Sequence, residues 1–182
     1  MNKKIIYLGF ILAAFIIAGC TKGEQKTVND IPGWNKTHWG MTEDEIKKVY
    51  KDKIVKLDTI EHYNNDKEYS SIGLKDAEII NTKFNVFFIM DQDTKKLVKV
   101  FIRPAQGTGI VIMFKLLEVE LMKKYGPPFY RDMTSDFEQI ELVAIWNFPS
   151  TKIQLIYNAD MKYNFQHLNI AYMQNKKVAD NL

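Results

Sequence analysis

The sequence predicts an α+β fold, two helices packed on an antiparallel sheet. Two amphipathic segments, 43–51 and 108–125, carry helix spacing, and each is followed by runs in which apolar residues alternate. Helices segregated from hairpin-linked strands make two layers, each burying its apolar face against the other.

The first helix opens at Thr42. Thr42 and Glu45 have capping-box spacing, in which each side chain satisfies an end amide near the other. Met41 and Ile46 have the spacing of a hydrophobic staple, and Glu43, Asp44 and Glu45 suit the positive helix start. Ile46, Val49 and Tyr50 share a face.

The polar stretch 58–67 reads as irregular. A short strand is expected over 69–74 and a long one over 78–90, where Phe84, Val86, Phe88 and Met90 fall on one face. Asp91-Gln92-Asp93-Thr94 is a turn, and 97–103 returns as the hairpin partner. In the second helix Met113, Phe114, Leu117, Leu121 and Tyr125 recur every three or four residues. Gly126 suits a left-handed cap, and Pro127-Pro128 forbid continuation. Three alternating strands follow, at 142–148, 153–157 and 168–172. Helix, strands, helix, strands is the order of a tandem αβββ repeat, although no residue identity links the halves.

Before the domain lies a different kind of segment. Lys3 and Lys4, then an apolar run from Ile5, then the small residues Ala18 and Gly19 form the layout of a signal peptide over 1–19. The fifteen residues from Ile5 to Gly19 fall short of the about 20 that a spanning helix needs. Residues 20–32 read as the anchoring cysteine and a polar tether, 33–173 as one globular domain, and 174–182 as a polar tail. Removal of 1–19 leaves 163 of the 182 residues, with 23 basic against 22 acidic groups, a formal +1. So even a balance gives no electrostatic case for nucleic acid. Cys20 is the single cysteine, which excludes an intramolecular disulfide.

Ile17-Ala18-Gly19-Cys20 resembles the lipobox of bacterial lipoproteins. That resemblance implies a diacylglyceryl thioether on Cys20, cleavage before it, and attachment to a membrane outside the cytoplasm. Thr21 after the cysteine resembles the outer-membrane sorting signal of a Gram-negative cell, facing the periplasm. In a Gram-positive cell the same anchor implies the outer face of the plasma membrane. Gly40-Met41-Thr42-x-x-Glu45-Ile46-x-x-Val49 resembles the helix start of the small accessory lipoproteins of the outer-membrane β-barrel assembly machinery. Their fold is shared by β-lactamase inhibitory proteins, tandem repeats of helices and antiparallel strands. Tyr125-Gly126-Pro127-Pro128 resembles their helix exit, but it closes the second helix here rather than the one carrying the Gly-Met-Thr start. The resemblance implies a protein that works by binding another protein at the envelope.

Catalytic chemistry is not evident. His38, His62 and His167 lack the spacing of a metal pair, so no metal ligand set and no cofactor is expected. Asp91-x-Asp93 opens like a calcium loop, but Lys96 and Ile102 stand where glycine and glutamate are required. Gly107-Thr108-Gly109 before a helix suits capping and lacks a following Lys-Ser/Thr pair. There is no Gly-x-Ser-x-Gly elbow. Trp34 and Trp39, clustered before the first helix, are the candidate partner-binding residues, since tryptophan is common at interface centres; filling the core is the competing role. The expectation is therefore a non-enzymatic, lipid-anchored protein-binding module of the envelope, its partners a membrane through Cys20 and an envelope protein. The alternative is a small-molecule or lipid binder using a cavity between the long helix and the sheet.

Overall fold

The structure, a computed structural model, describes residues 30–106, 110–136 and 138–175. The signal-peptide segment, Cys20 and most of the expected tether and tail lie outside the described residues. The chain runs α1 (Glu43–Tyr50), a 3-10 turn (Lys51–Lys53), β1 (Ile54–Tyr63), β2 (Glu68–Ile79), β3 (Thr82–Asp91) and β4 (Leu97–Pro104). It continues with α2 (Ile110–Tyr125), β5 (Tyr130–Ser135), β6 (Gln139–Asn147), β7 (Thr151–Asp160) and β8 (Phe165–Gln174). All eight strands form one antiparallel sheet in the order β1-β2-β3-β4-β8-β7-β6-β5. Each half is a four-stranded meander, and pairing of β4 with β8 joins the halves.

The α+β class stands, but the sheet dominates it. Each half holds four strands where the sequence reading gives two or three and then three. β1 occupies much of the stretch read as irregular. Its alternation is broken by a bulge: Lys56 pairs with Ile72 and Glu61 with Ser70, so residues 57–60 face Ser71 alone. The run 78–90 is two strands rather than one, because Ile80 and Asn81 have φ of 48° and 57° and turn the chain between Ile79 and Thr82. β5 is an edge strand whose six residues are all exposed, so no burial pattern marks it.

The helix termini follow their sequence signals. Thr42 caps α1 with both bonds of the capping box. Gly126, at φ 82°, donates its amide to the Met122 carbonyl and ends α2.

The helices do not lie on the sheet as an equal pair. α2 packs on β7 and β8 through Phe114, Leu117 and Leu121, whereas eight-residue α1 contributes buried Ile46 and Tyr50, the latter against Phe88 on β3. The rest of the first half's core is filled by the segment before α1. Ile31 is buried there, and Trp34 packs beside Tyr50, Phe88 and Tyr172. Both helices join the same cluster as Phe84, Val86, Phe88, Val100, Ile102, Trp146, Leu155 and Ile170. That cluster defines the inner face of the sheet.

Candidate functional site

Strand alternation sends every second side chain to the other face. On β3, β4 and β8 these are Phe87 and Ile89, then Lys99, Phe101 and Arg103, then His167, Asn169 and Ala171. Ile89 and Ala171 are buried, yet they lie outside the cluster beneath the helices. The outer face thus has an apolar floor of its own. Gly73 on β2 stands opposite Phe87, where a Cβ would come within 2.4 Å of the Val86 carbonyl oxygen.

Phe87 and Phe101 pair directly across β3 and β4. The Arg103 guanidinium lies 4.3 Å from the Phe87 ring centroid and 5.5 Å from that of Phe101. Its Nη2 donates to Glu61 Oε2 at 2.7 Å, and Tyr63 Oη donates to the same carboxylate oxygen. The Tyr63 ring lies 6.5 Å from that of Phe101. Beside this group, Lys99 Nζ donates to Glu68 Oε2 at 2.5 Å. On β8, Asn169 Nδ2 is 2.8 Å from His167 Nε2, and Phe165 stacks on the imidazole at 6.2 Å and 11°. The two halves of the chain therefore meet in one surface at the β4–β8 seam.

Its electrostatics follow from partial burial. Arg103 and Glu61 keep 33% and 39% of their side chains exposed, so solvent screens their attraction. Arg103 Nε is buried with no acceptor among the described residues. Burial, then the Glu61 carboxylate, pushes the Tyr63 hydroxyl well above its ordinary pKa. Burial, then the charge of Arg103, holds His167 below its ordinary value, so at neutral pH the ring is uncharged and its Nε2 accepts from Asn169.

The tryptophans singled out in the sequence lie elsewhere. Trp39 Nε1 donates to Thr151 Oγ1 at 2.7 Å, and Thr151 Oγ1 donates to the Ile31 carbonyl. Asp30 accepts from Ser150 N at 2.8 Å and from Ser150 Oγ at 2.6 Å. Gly40 and Met41 bond to Leu97 at the start of β4. Residues 30–41 are thus a strap tied to both halves, and Asp30–Pro32, read as tether from sequence, dock on the domain. Trp34 is half-buried and lines an apolar cavity of about 590 Å³ with Ile80, Ile102, Leu117, Ile170 and Tyr172, at whose mouth stand Glu120, Lys123 and Lys124. The structure does not bring Trp34 or Trp39 to the outer-face cluster.

Sequence reasoning missed Glu61, Phe87, Phe101, Arg103, His167 and Asn169 as a group. The available signal was phase. Phe87, Ile89 and Phe101 are apolar at positions that alternation assigns to the side away from Phe84, Val86 and Phe88. The link of Tyr63 to Arg103, through the shared Glu61 carboxylate, crosses 40 residues of chain, which no local pattern signals.

Glu61, Tyr63, Arg103 and neutral His167 together offer donors, acceptors and aromatic faces. Among the described residues no group of three or more His, Cys, Asp or Glu could hold a metal ion. No protein-family model matches this chain, and no curated protein and no solved structure matches it.

Proposed function

We propose that this chain is a lipid-anchored protein of the cell envelope whose domain binds an envelope protein, without catalysis, through the outer face of its sheet. The observation that carries the reading is the Arg103–Phe87–Phe101–Tyr63 cluster on a face that no described helix covers. Arg and Tyr over an apolar floor are the side chains that concentrate binding energy at interface centres. On the same reading the two halves are copies of one unit, a helix then a four-stranded meander. Their side-by-side union through β4 and β8 supports this, and it makes one broad surface from two. Cys20 supplies the anchor, on the outer membrane's periplasmic side in a Gram-negative cell and otherwise on the outer face of the plasma membrane.

A photoreactive amino acid placed at position 101 in the living cell tests the binding surface. The expected result is one discrete adduct with an envelope protein, abolished by Arg103→Glu. A folded, anchored protein that gives no adduct overturns the reading. The mass of the mature N-terminal peptide tests the anchor separately, since acylated Cys20 is required.

A second reading is favoured by the cavity of about 590 Å³ between α2 and the sheet, which lies within the size range of small-molecule sites. Its apolar walls and the lysines at its mouth suit an amphiphile with an anionic head. A thermal shift with fatty acids that Leu117→Trp abolishes is the result this reading requires.

A further inference from the structure

The outward side of α2 is apolar where a surface helix is ordinarily polar. Ile112, Leu116, Val119 and Met122 are 69%, 52%, 47% and 41% exposed, and their spacing of four, three and three residues places them along one stripe. Phe129, just beyond the helix, is 81% exposed. Lys115 and Lys123 stand exposed within the same helix face, between the apolar side chains, and Lys124 stands exposed to one side of it. Of the two helix acids, Glu118 is buried against Arg131, whose Nε donates to it at 2.6 Å, and Glu120 is paired with Lys123 at 2.6 Å. The net sign of this surface is positive.

The chain before the domain arrives at the same place. Asp30 is held by Ser150 in the β6–β7 turn. Phe148, at the start of that turn, packs edge-on against Tyr125 at 5.9 Å, and Trp146 Nε1 donates to the Gly126 carbonyl at 2.8 Å. The point where the N-terminal segment meets the domain is therefore at the C-terminal end of α2. Cys20 precedes Asp30 by ten residues, which reach at most about 33–36 Å. The sixteen residues of α2 span roughly 24 Å. The whole stripe lies within the length of the tether.

We infer that α2 docks on the surface of an anionic lipid bilayer, its Ile112–Met122 stripe and Phe129 entering the headgroup boundary with the lysines at phosphate level. This is the arrangement of an interfacial helix, in which aliphatic burial and cation–phosphate attraction add. For the direction from which the membrane approaches, the inference rests on the anchoring reading of Cys20. The two chains of a diacylglyceryl anchor already hold the protein at the membrane, so what a docked α2 adds is orientation rather than attachment. The docked helix fixes which way the outer face of the sheet points.

The test uses the mature chain, residues 20–182, with Cys20→Ser, so that neither an acyl group nor the apolar segment 1–19 contributes, and vesicles of phosphatidylcholine with or without phosphatidylglycerol. The expected result is sedimentation with phosphatidylglycerol vesicles that weakens with salt. A variant carrying Ile112→Gln, Leu116→Gln and Val119→Gln should bind at least roughly tenfold more weakly, since each change removes an aliphatic contact with the boundary. These side chains are exposed, so the variant's unfolding midpoint is expected to stay near that of the parent. Equal vesicle binding by parent and variant overturns the inference, as does absence of binding. So does a concentration-dependent dimer that the triple variant abolishes, which makes a second copy the occupant. The N-terminal peptide mass reports acylation independently: an unacylated Cys20 with vesicle binding intact removes the anchor and leaves the surface.

Discussion

The guanidinium of Arg103 lies 4.3 Å above the ring of Phe87, the diagonal neighbour two residues along β3 from its register partner Asn85. Through this contact a charge sits on an apolar floor without being fully desolvated. Glu61 neutralises one edge, the rings of Phe87 and Phe101 face another, and a third of the side chain remains in water. Arg suits such a place better than Lys, because a planar, weakly hydrated cation stacks on a ring and still donates laterally.

Replacing Arg103 by methionine keeps the apolar stem and removes the charge. The cost in stability should be about 1–2 kcal/mol, from the lost cation–π contact and a half-exposed ion pair. Urea unfolding measures this. Partner binding should suffer more than folding, and Arg103→Lys should restore little of it. A stability loss well beyond that range would show the cluster to be mainly structural. In the same variant His167 should titrate closer to its ordinary value, since one of its two depressing influences is gone while burial remains. An NMR titration of the imidazole reads that shift.

The depressed pKa of His167 makes stability depend on pH. A base whose folded pKa lies below its unfolded value favours the native state while it is neutral, and that advantage falls away as pH drops below about 6.5 toward the folded pKa. The urea midpoint should therefore decline from pH 7 to pH 5 more steeply than in His167→Gln. Equal slopes in the two proteins would assign the acid sensitivity to other groups. Asp30 contributes with the same sign lower down. Burial alone would raise its pKa, but bonds from Ser150 and Ile31 hold it lowered, so the strap loosens as pH falls toward the carboxylate range.

Thr151 is a single hydroxyl on which the strap depends. It is fully buried, accepts from Trp39 Nε1 and donates to the Ile31 carbonyl. Thr151→Val leaves a donor and an acceptor without partners in a site closed to water, and should cost about 2–4 kcal/mol. Trp39→Phe removes only the indole donor and should cost about 1–2 kcal/mol. Because both changes break the Trp39–Thr151 bond, their effects in the double variant should fall short of additive. Strict additivity would mean that the bond is not formed in solution.

What the sequence disclosed and what it hid divide along physical lines. Local chemistry was legible. Thr42 and Glu45 close a capping box, Gly126 ends α2, and Asp91 accepts from the amides of Asp93 and Thr94 in the β3–β4 turn. The inner face was legible too, since Phe84, Val86, Phe88 and Trp146 keep strict alternation and are all buried. Three strand features were not. β5 has no buried side, β1 loses its phase at the bulge over residues 57–60, and Ile80 stands where hairpin turns ordinarily carry Asn or Gly. The outer-face cluster was hidden for a further reason. Glu61, Arg103 and His167 come from β1, β4 and β8, strands far apart in sequence, so no local pattern couples them.

Ile80 offers the sharpest conflict between local and tertiary preference. It has φ 48° in a two-residue turn, a conformation that costs an L-residue roughly 1–2 kcal/mol and a β-branched one no less. Its side chain is partly buried against the core and lines the cavity beside α2. Full burial of isoleucine is worth about 1.5–3 kcal/mol, so a partly exposed one retains about half of that. The two effects nearly cancel, and Ile80→Asn supplies the residue such turns favour. We expect that variant to be neutral or more stable by up to about 1 kcal/mol. Ile79→Asn, one residue earlier where β2 pairs with Thr82, loses partial burial with no strain to release and should be destabilised by about 1–2 kcal/mol. The comparison of urea midpoints is the measurement. If Ile80→Asn falls as far as Ile79→Asn, packing outweighs the backbone at this turn. If it rises, backbone strain at Ile80 outweighs its packing.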